Sequence, residues 1–203
     1  MLISAGVSIV GCPPLFICNY EAVMETIVQD DDAIIHVFLG SDDIAHAMEI
    51  AQKRFDFYAG QNYRGAEFQE EKFDLGLHRI GAASELATAR ALGLSWTGHI
   101  TKDVGQYEVK AVTEPHHRLF IPKKDRHRYS PTFRQRVYIS VENAAQHASR
   151  FLKDWKIRGW AYSGDFYGKA EFLDYLMNEQ RDPVYALPKQ SLRAMNTLPK
   201  FAD

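Results

Sequence analysis

The chain has 203 residues, 46% of them hydrophobic, enough to bury one sizeable core, so a single domain is expected. Its net charge of −2 supplies no global field toward nucleic acid or membrane, and any basic footprint has to be local. The only cysteines, Cys12 and Cys18, fit no common zinc spacing and make no disulfide framework, which favours a reduced, cytoplasmic setting.

Residues 1–20 carry no charged side chain. They lack a basic start, and Pro13 and Pro14 interrupt them, so a loosely packed extension is expected rather than a secretory signal or a membrane span. Asp30, Asp31 and Asp32 mark a solvated boundary, giving an extension over 1–32 and a main domain over 33–203. Residues 33–39, A-I-I-H-V-F-L, read as a buried strand in which His36 is a hydrogen-bonded core residue. Ser41 is a natural N-cap for a helix over 42–58, with Asp42 and Asp43 favouring its dipole. Ile44, Ala47, Met48, Ala51, Phe55 and Tyr58 keep helical spacing, and Gly60 stops the helix. Residues 61–74 are polar and read as a long loop or a frayed helix.

Residues 81–92, G-A-A-S-E-L-A-T-A-R-A-L, form an Ala-rich helix closed by Gly93. Ala82, Leu86 and Ala89 make one stripe, and Glu85 falls inside it. A carboxylate on a buried face is costly unless it is paired or binds a metal. The plain alternative puts Glu85 at the stripe edge, reaching water.

Strands are expected over 96–102 and 106–113, joined at Gly105 and Gln106. Gly at the first central position suits a type II′ turn, which pairs Val104 with Tyr107 and sets Asp103 opposite Glu108. Opposed residues have Cβ atoms roughly 4.5–5.5 Å apart. Two carboxylates that close repel unless something positive lies between them. Alternation puts Lys110 on the same face as Glu108. Two carboxylates and a lysine on one hairpin suit a hard divalent cation. A solvated hairpin with ordinary charge pairing would give the same triplet.

Further strands are expected over 118–122, 136–141 and 157–162, and helices over 143–153 and 169–177. Between the first two of these strands lies a basic segment carrying Lys123, Lys124, Arg126, Arg128, Arg134 and Arg136, interleaved with Tyr129 and Phe133. In a slightly acidic chain such a cluster is a footprint for phosphates; the other reading is a solvated charged loop. Trp155, Trp160, Phe166, Tyr167, Phe172 and Tyr175 are expected to pack rather than stack bases, and His116 and His117 to point apart on a strand. Gln190 and Arg193 in the tail are within the range of residue types that touch phosphate.

The helix G-x-x-x-E-L-A around Glu85, followed by A-L-G, and the D-x4-E-x-K run formed by Asp103, Glu108 and Lys110 resemble the PD-(D/E)XK nuclease superfamily. Lys102 stands where that pattern has its proline. The resemblance implies an α/β (mixed α+β) fold of restriction-endonuclease type, a central mixed sheet flanked by helices, and Mg²⁺- or Mn²⁺-dependent hydrolysis of nucleic acid, DNA rather than RNA. It further implies that Asp103, Glu108 and the carbonyl of Val109 ligate the metal, and that Glu85 is a further ligand or orients a metal-bound water. Lys110 would position or deprotonate the attacking water or stabilise developing charge. The alternatives are a catalytically inactive nucleic-acid-binding or structural protein on the same fold, and an interaction domain with a charged surface hairpin. No membrane partner is expected.

Overall fold

The computed structural model describes residues 28–29, 34–60, 74–99, 103–114, 116–122, 136–167, 171–173 and 184–201. Expectations for Cys12, Cys18, Lys123, Lys124, Arg126, Arg128, Tyr129, Phe133, Arg134 and Tyr175 lie outside the described residues. In chain order the elements are β1 (Val28–Gln29), β2 (Ile35–Phe38), α1 (Ser41–Gly60), α2 (Leu75–Leu92) and β3 (Tyr107–Val112). They continue with β4 (Leu119–Pro122), β5 (Val137–Asn143), β6 (Asp154–Tyr162), β7 (Glu171–Leu173) and β8 (Val184–Leu187). The fold is mixed α+β.

The main sheet runs β1-β2-β6-β5-β3, with β3 and β5 parallel and the other pairs antiparallel. A small antiparallel sheet runs β4-β8-β7. Val28 and Gln29 pair with β2, so the sheet begins inside the segment expected to be an extension.

Alternation along the strands sorts side chains between two cores. Val109, Val137, Ile139, Val141, Trp155 and Ile157 turn to α1 and α2 and form the larger core with Ala47, Ile50, Ala51 and Leu86. Tyr138 and Ala161 turn the other way, onto Leu119, Ile121, Phe166, Tyr185 and Leu187 beneath the small sheet. Trp155, Trp160 and Phe166 are buried, as packing residues should be.

The helix α2 starts at Leu75 rather than 81 because Asp74 caps it, its Oδ1 accepting from the Gly76 amide at 2.7 Å. It closes in a Schellman motif: Gly93 has φ 64°, its amide donates to the Arg90 carbonyl, and the Leu94 amide donates to the Ala89 carbonyl. Residues 82–89 are buried all round, and their small side chains let α1 and the sheet approach from both sides.

Two expected helices are corrected. Residues 143–153 hold the end of β5 and a short 3-10 turn at Ala148–Arg150. Asn143 stays in the strand and its Oδ1 accepts from the Ala145 amide at 3.2 Å, an Asx turn that competes with helix. Of 169–177, residues Glu171–Leu173 are strand β7.

A β-bulge interrupts the pairing of β5 and β6: Ser140 faces Gly159 while Val141 faces Ile157, leaving Arg158 as the extra residue. Gly159 has φ 142°, and a Cβ there would lie 2.6 Å from the Arg193 carbonyl oxygen. Both the torsion and the approach of backbone exclude a side chain. Gly159→Ala is expected to lose about 1–3 kcal/mol or more, read as a lower denaturation midpoint; an unchanged midpoint would contradict this packing.

Candidate metal and phosphate site

The turn forms as its residues dictate, but the strand expected to lead into it does not: residues 96–99 are irregular, 100–102 lie outside the described residues, and an isolated bridge stands in its place. Val104 and Tyr107 pair across the turn, the Tyr107 amide donating to the Val104 carbonyl at 2.9 Å, and Gly105 takes φ 55°. Tyr107 and Val109 enter the helix-side core, so alternation turns Glu108 and Lys110 to the opposite face of the sheet. There Lys110 Nζ lies 3.9 Å from Glu108 Oε2. Arg136 Nη1 donates to Glu108 Oε1 at 2.6 Å. The glutamate is thus held between two cations, all three side chains part-exposed.

Asp103 lies at the hairpin edge. Its Oδ2 accepts from the Val109 amide at 2.7 Å. In an extended strand the N–H and C=O of one residue point the same way. The Val109 carbonyl therefore points to the same strand edge as its amide, the edge on which Asp103 lies. The charge of Asp103 makes only a minor contribution at Arg54 and Glu85, behind burial and their mutual pairing.

Glu85 is 5% exposed and faces inward, as its place in the alanine stripe requires. Arg54 of α1 grips it with both arms: Nη1 to Oε1 at 2.7 Å and Nη2 to Oε2 at 2.6 Å. Trp96 Nε1 also donates to Oε2 at 2.9 Å. Arg54 further donates to the carbonyls of Gly98 and His99. Burial pushes the Glu85 carboxyl up, against the pull of Arg54 and Trp96. Burial also works against the Arg54 charge, but the Glu85 hydrogen bonds and charge more than offset it and raise its pKa.

The four residues do not converge as a single cluster. Glu85 lies on the helix side, and Asp103 meets the E-x-K strand at its edge through the Val109 amide. Glu108 and Lys110 project from the other face. No protein-family model, curated protein or solved structure matches the chain.

Sequence reasoning missed Arg54. It continues the buried series Ala47, Ile50, Ala51 at helical spacing, the same signal that singled out Glu85. A cation on one buried stripe and an acid on the next is a pair to be expected. Also missed was the buried polar row behind Lys110. Ser140, the register partner of Lys110, is fully buried and its Oγ has no hydrogen bond among the described residues. Glu142 and Arg158 are buried beside it, 3.6 Å apart, and Arg158 donates to the His117 carbonyl at 2.8 Å. Burial pulls the Arg158 pKa down, and the Glu142 charge opposes that.

His116 and His117 do not point apart: their rings meet edge to face at 4.8 Å, outside any strand. Arg193 is bound by both oxygens of Asp165 and stacks over Trp160 and Tyr162, a structural setting rather than an open phosphate site.

The donors near the hairpin are all hard oxygens: the Asp103 and Glu108 carboxylates and the Val109 carbonyl. Among the described residues no three His, Cys, Asp or Glu side chains gather as a metal cluster. Mg²⁺ keeps several waters and binds through one or two carboxylates plus substrate phosphates, so these donors suit it in chemical type, although they are not gathered into one cluster. Among the described residues no helix is long and apolar enough to cross a membrane.

Proposed function

We propose that the chain is a Mg²⁺- or Mn²⁺-dependent nuclease of the PD-(D/E)XK type, acting on DNA in preference to RNA. The observation that carries this reading is the hairpin: Glu108 and Lys110 share one face, and Asp103 bonds the amide of the residue between them. Asp103, Glu108 and the Val109 carbonyl would hold the cation. When bound, the cation lowers the pKa of a water and neutralises phosphate charge.

The protein side chains have separate work. Lys110 presents an ammonium beside Glu108, where it orients the attacking water or meets charge building on a phosphate oxygen. Arg136, just before β5, offers a phosphate a fork of donors. Glu85 has both oxygens bonded to Arg54 and Trp96, so its role is positional: it fixes Arg54 between α1 and α2.

A second reading is favoured by one observation. Glu108 and Glu85 are each already neutralised by an arginine, as in a protein that binds nucleic acid without cleaving it. Calorimetry with Mg²⁺ and cleavage of linear, circular and single-stranded DNA, with and without chelator, separate the two. Asp103→Asn keeps an acceptor for the Val109 amide, so the fold should persist while Mg²⁺ affinity falls at least tenfold. Unchanged affinity in that variant would remove the proposed centre, and binding of DNA without Mg²⁺-dependent turnover in the wild type would establish the second reading.

A further inference from the structure

The sheet face that carries Glu108 and Lys110 is only partly covered by the small sheet, whose core centres on Tyr138 and Ala161. Over β2 and the start of β6 it opens into a separate cleft of about 650 Å³. His36 faces Lys156 and Phe38 faces Asp154 across the strand pair, so these four share one face. The wall is the turn after β5, which contributes Gln146, His147 and Arg150. The sequence places His36 in the core; it is half-buried and lines this cleft instead, because Val37 takes the inward position.

We infer that this cleft binds a small phosphate-bearing ligand of nucleotide size. The inference does not depend on the hairpin site. Two basic side chains, Arg150 and Lys156, line the cleft with one carboxylate, Asp154, and Arg150 is within 3.4 Å of that carboxylate. Lys156 has no ion pair among the described residues. Its register neighbours are His36 on one side and Glu142 on the other, and Glu142 is turned to Arg158 at 3.6 Å. Two imidazoles and an amide add donors around the same space. Such a donor-rich set suits an anion, and a phosphate offers it several acceptor oxygens. The volume lies within the roughly 300–1,000 Å³ of small-molecule sites. It exceeds what inorganic phosphate fills, and Phe38 gives it one apolar side for a ring.

The wall is built rather than loose. The Ala144 amide donates to the Asp154 carbonyl at 2.8 Å, and the Arg150 amide to the His147 carbonyl at 2.9 Å. Leu152, just past Arg150, is held at φ 68°, a left-handed conformation that is costly for a non-glycine residue. Its carbonyl accepts from Trp155 Nε1 at 2.7 Å, which pins the turn. Strain of this kind persists only where the surrounding structure over-determines it. Here it fixes the turn that delivers Arg150.

The test is an NMR titration of the full chain with adenosine monophosphate, adenosine, inorganic phosphate and a single-stranded oligonucleotide lacking terminal phosphates. The monophosphate should move the ring resonances of His36 and His147 together with Phe38, and adenosine should not. Inorganic phosphate should move the two imidazoles at higher concentration. Perturbation by the oligonucleotide at the same residues would assign the phosphate to a nucleic-acid backbone; its absence would assign it to a free nucleotide. Lys156→Ala should weaken monophosphate binding by about tenfold or more, as expected for removing one charge-assisted hydrogen bond. Adenosine acting as well as its monophosphate, or no response of His36 and His147 in the wild-type protein, would overturn the site whatever the variant does.

Discussion

Glu85→Ala should lower stability by about 3–5 kcal/mol, because it leaves the Arg54 guanidinium buried without its counter-charge. Arg54 is 8% exposed, and the carbonyls of Gly98 and His99 satisfy only part of its fork. For a domain of this size the thermal midpoint should fall by roughly 10 °C. From the sequence alone the same substitution would be expected to leave the midpoint nearly unchanged, since Ala is the better helix former. The bidentate pair reverses that expectation. A second variant separates architecture from chemistry: replacing both partners with apolar residues, Arg54→Met with Glu85→Leu, should recover most of the missing stability. If the double variant is stable and cleaves DNA as the wild type does, Glu85 only holds the helices together. If it is stable and inactive, the pair positions Asp103 for function. A single Glu85→Ala that melts like the wild type would show that the pair is not formed in solution.

What the sequence made legible was local. A glycine at the first central position of a two-residue loop, flanked by alternating residues, is enough to specify the turn and the strand that leaves it, and Gly105 takes the positive φ that position demands, but the strand expected before it is absent over 96–99. The alanine run and Gly93 likewise specify α2 and its closure. Alternation also put Glu108 and Lys110 on one face, and they are there. Alternation does not say which face lies under the helices. That depends on β5, which pairs with β3 in parallel after a long connection, and on the small sheet that covers Tyr138. The convergence of Glu85 with Glu108, expected from chain order, therefore divides into two sides of the sheet. The strand β8 was hidden for a similar reason. It is a short run, Val184–Leu187, and its place between β4 and β7 rests on partners far away in sequence. The misread helix after β5 shows the opposite failure, where good helix composition yielded to one Asx turn and a strand that continued through Asn143.

Replacing Lys110 with alanine should separate chemistry from binding. Its ammonium is one charge on the open face, 3.9 Å from Glu108 and beside the buried Ser140. A single positioned charge acts mainly on the transition state. Under the nuclease reading, Lys110→Ala should cut the cleavage rate by about 10²–10³, the usual cost of removing one preorganised stabilising group, while DNA affinity changes little. Removing Lys123, Lys124, Arg126 and Arg128 should do the reverse, sparing the chemical step and weakening binding. Each phosphate that such a variant no longer neutralises should reduce the slope of log affinity against log salt by about 0.7–0.9. Arg136 should show both effects, because it neutralises Glu108 and, under the same reading, is one of the cations offered to phosphate. Binding is best measured with Ca²⁺ in place of Mg²⁺, so that an oxygen-ligated cation is present without appreciable turnover. Variants of the basic segment that keep the wild-type salt slope would make it a solvated charged stretch. Normal cleavage by Lys110→Ala would end the E-x-K assignment, and the paired arginines at Glu85 and Glu108 would then favour a protein that binds nucleic acid without cutting it.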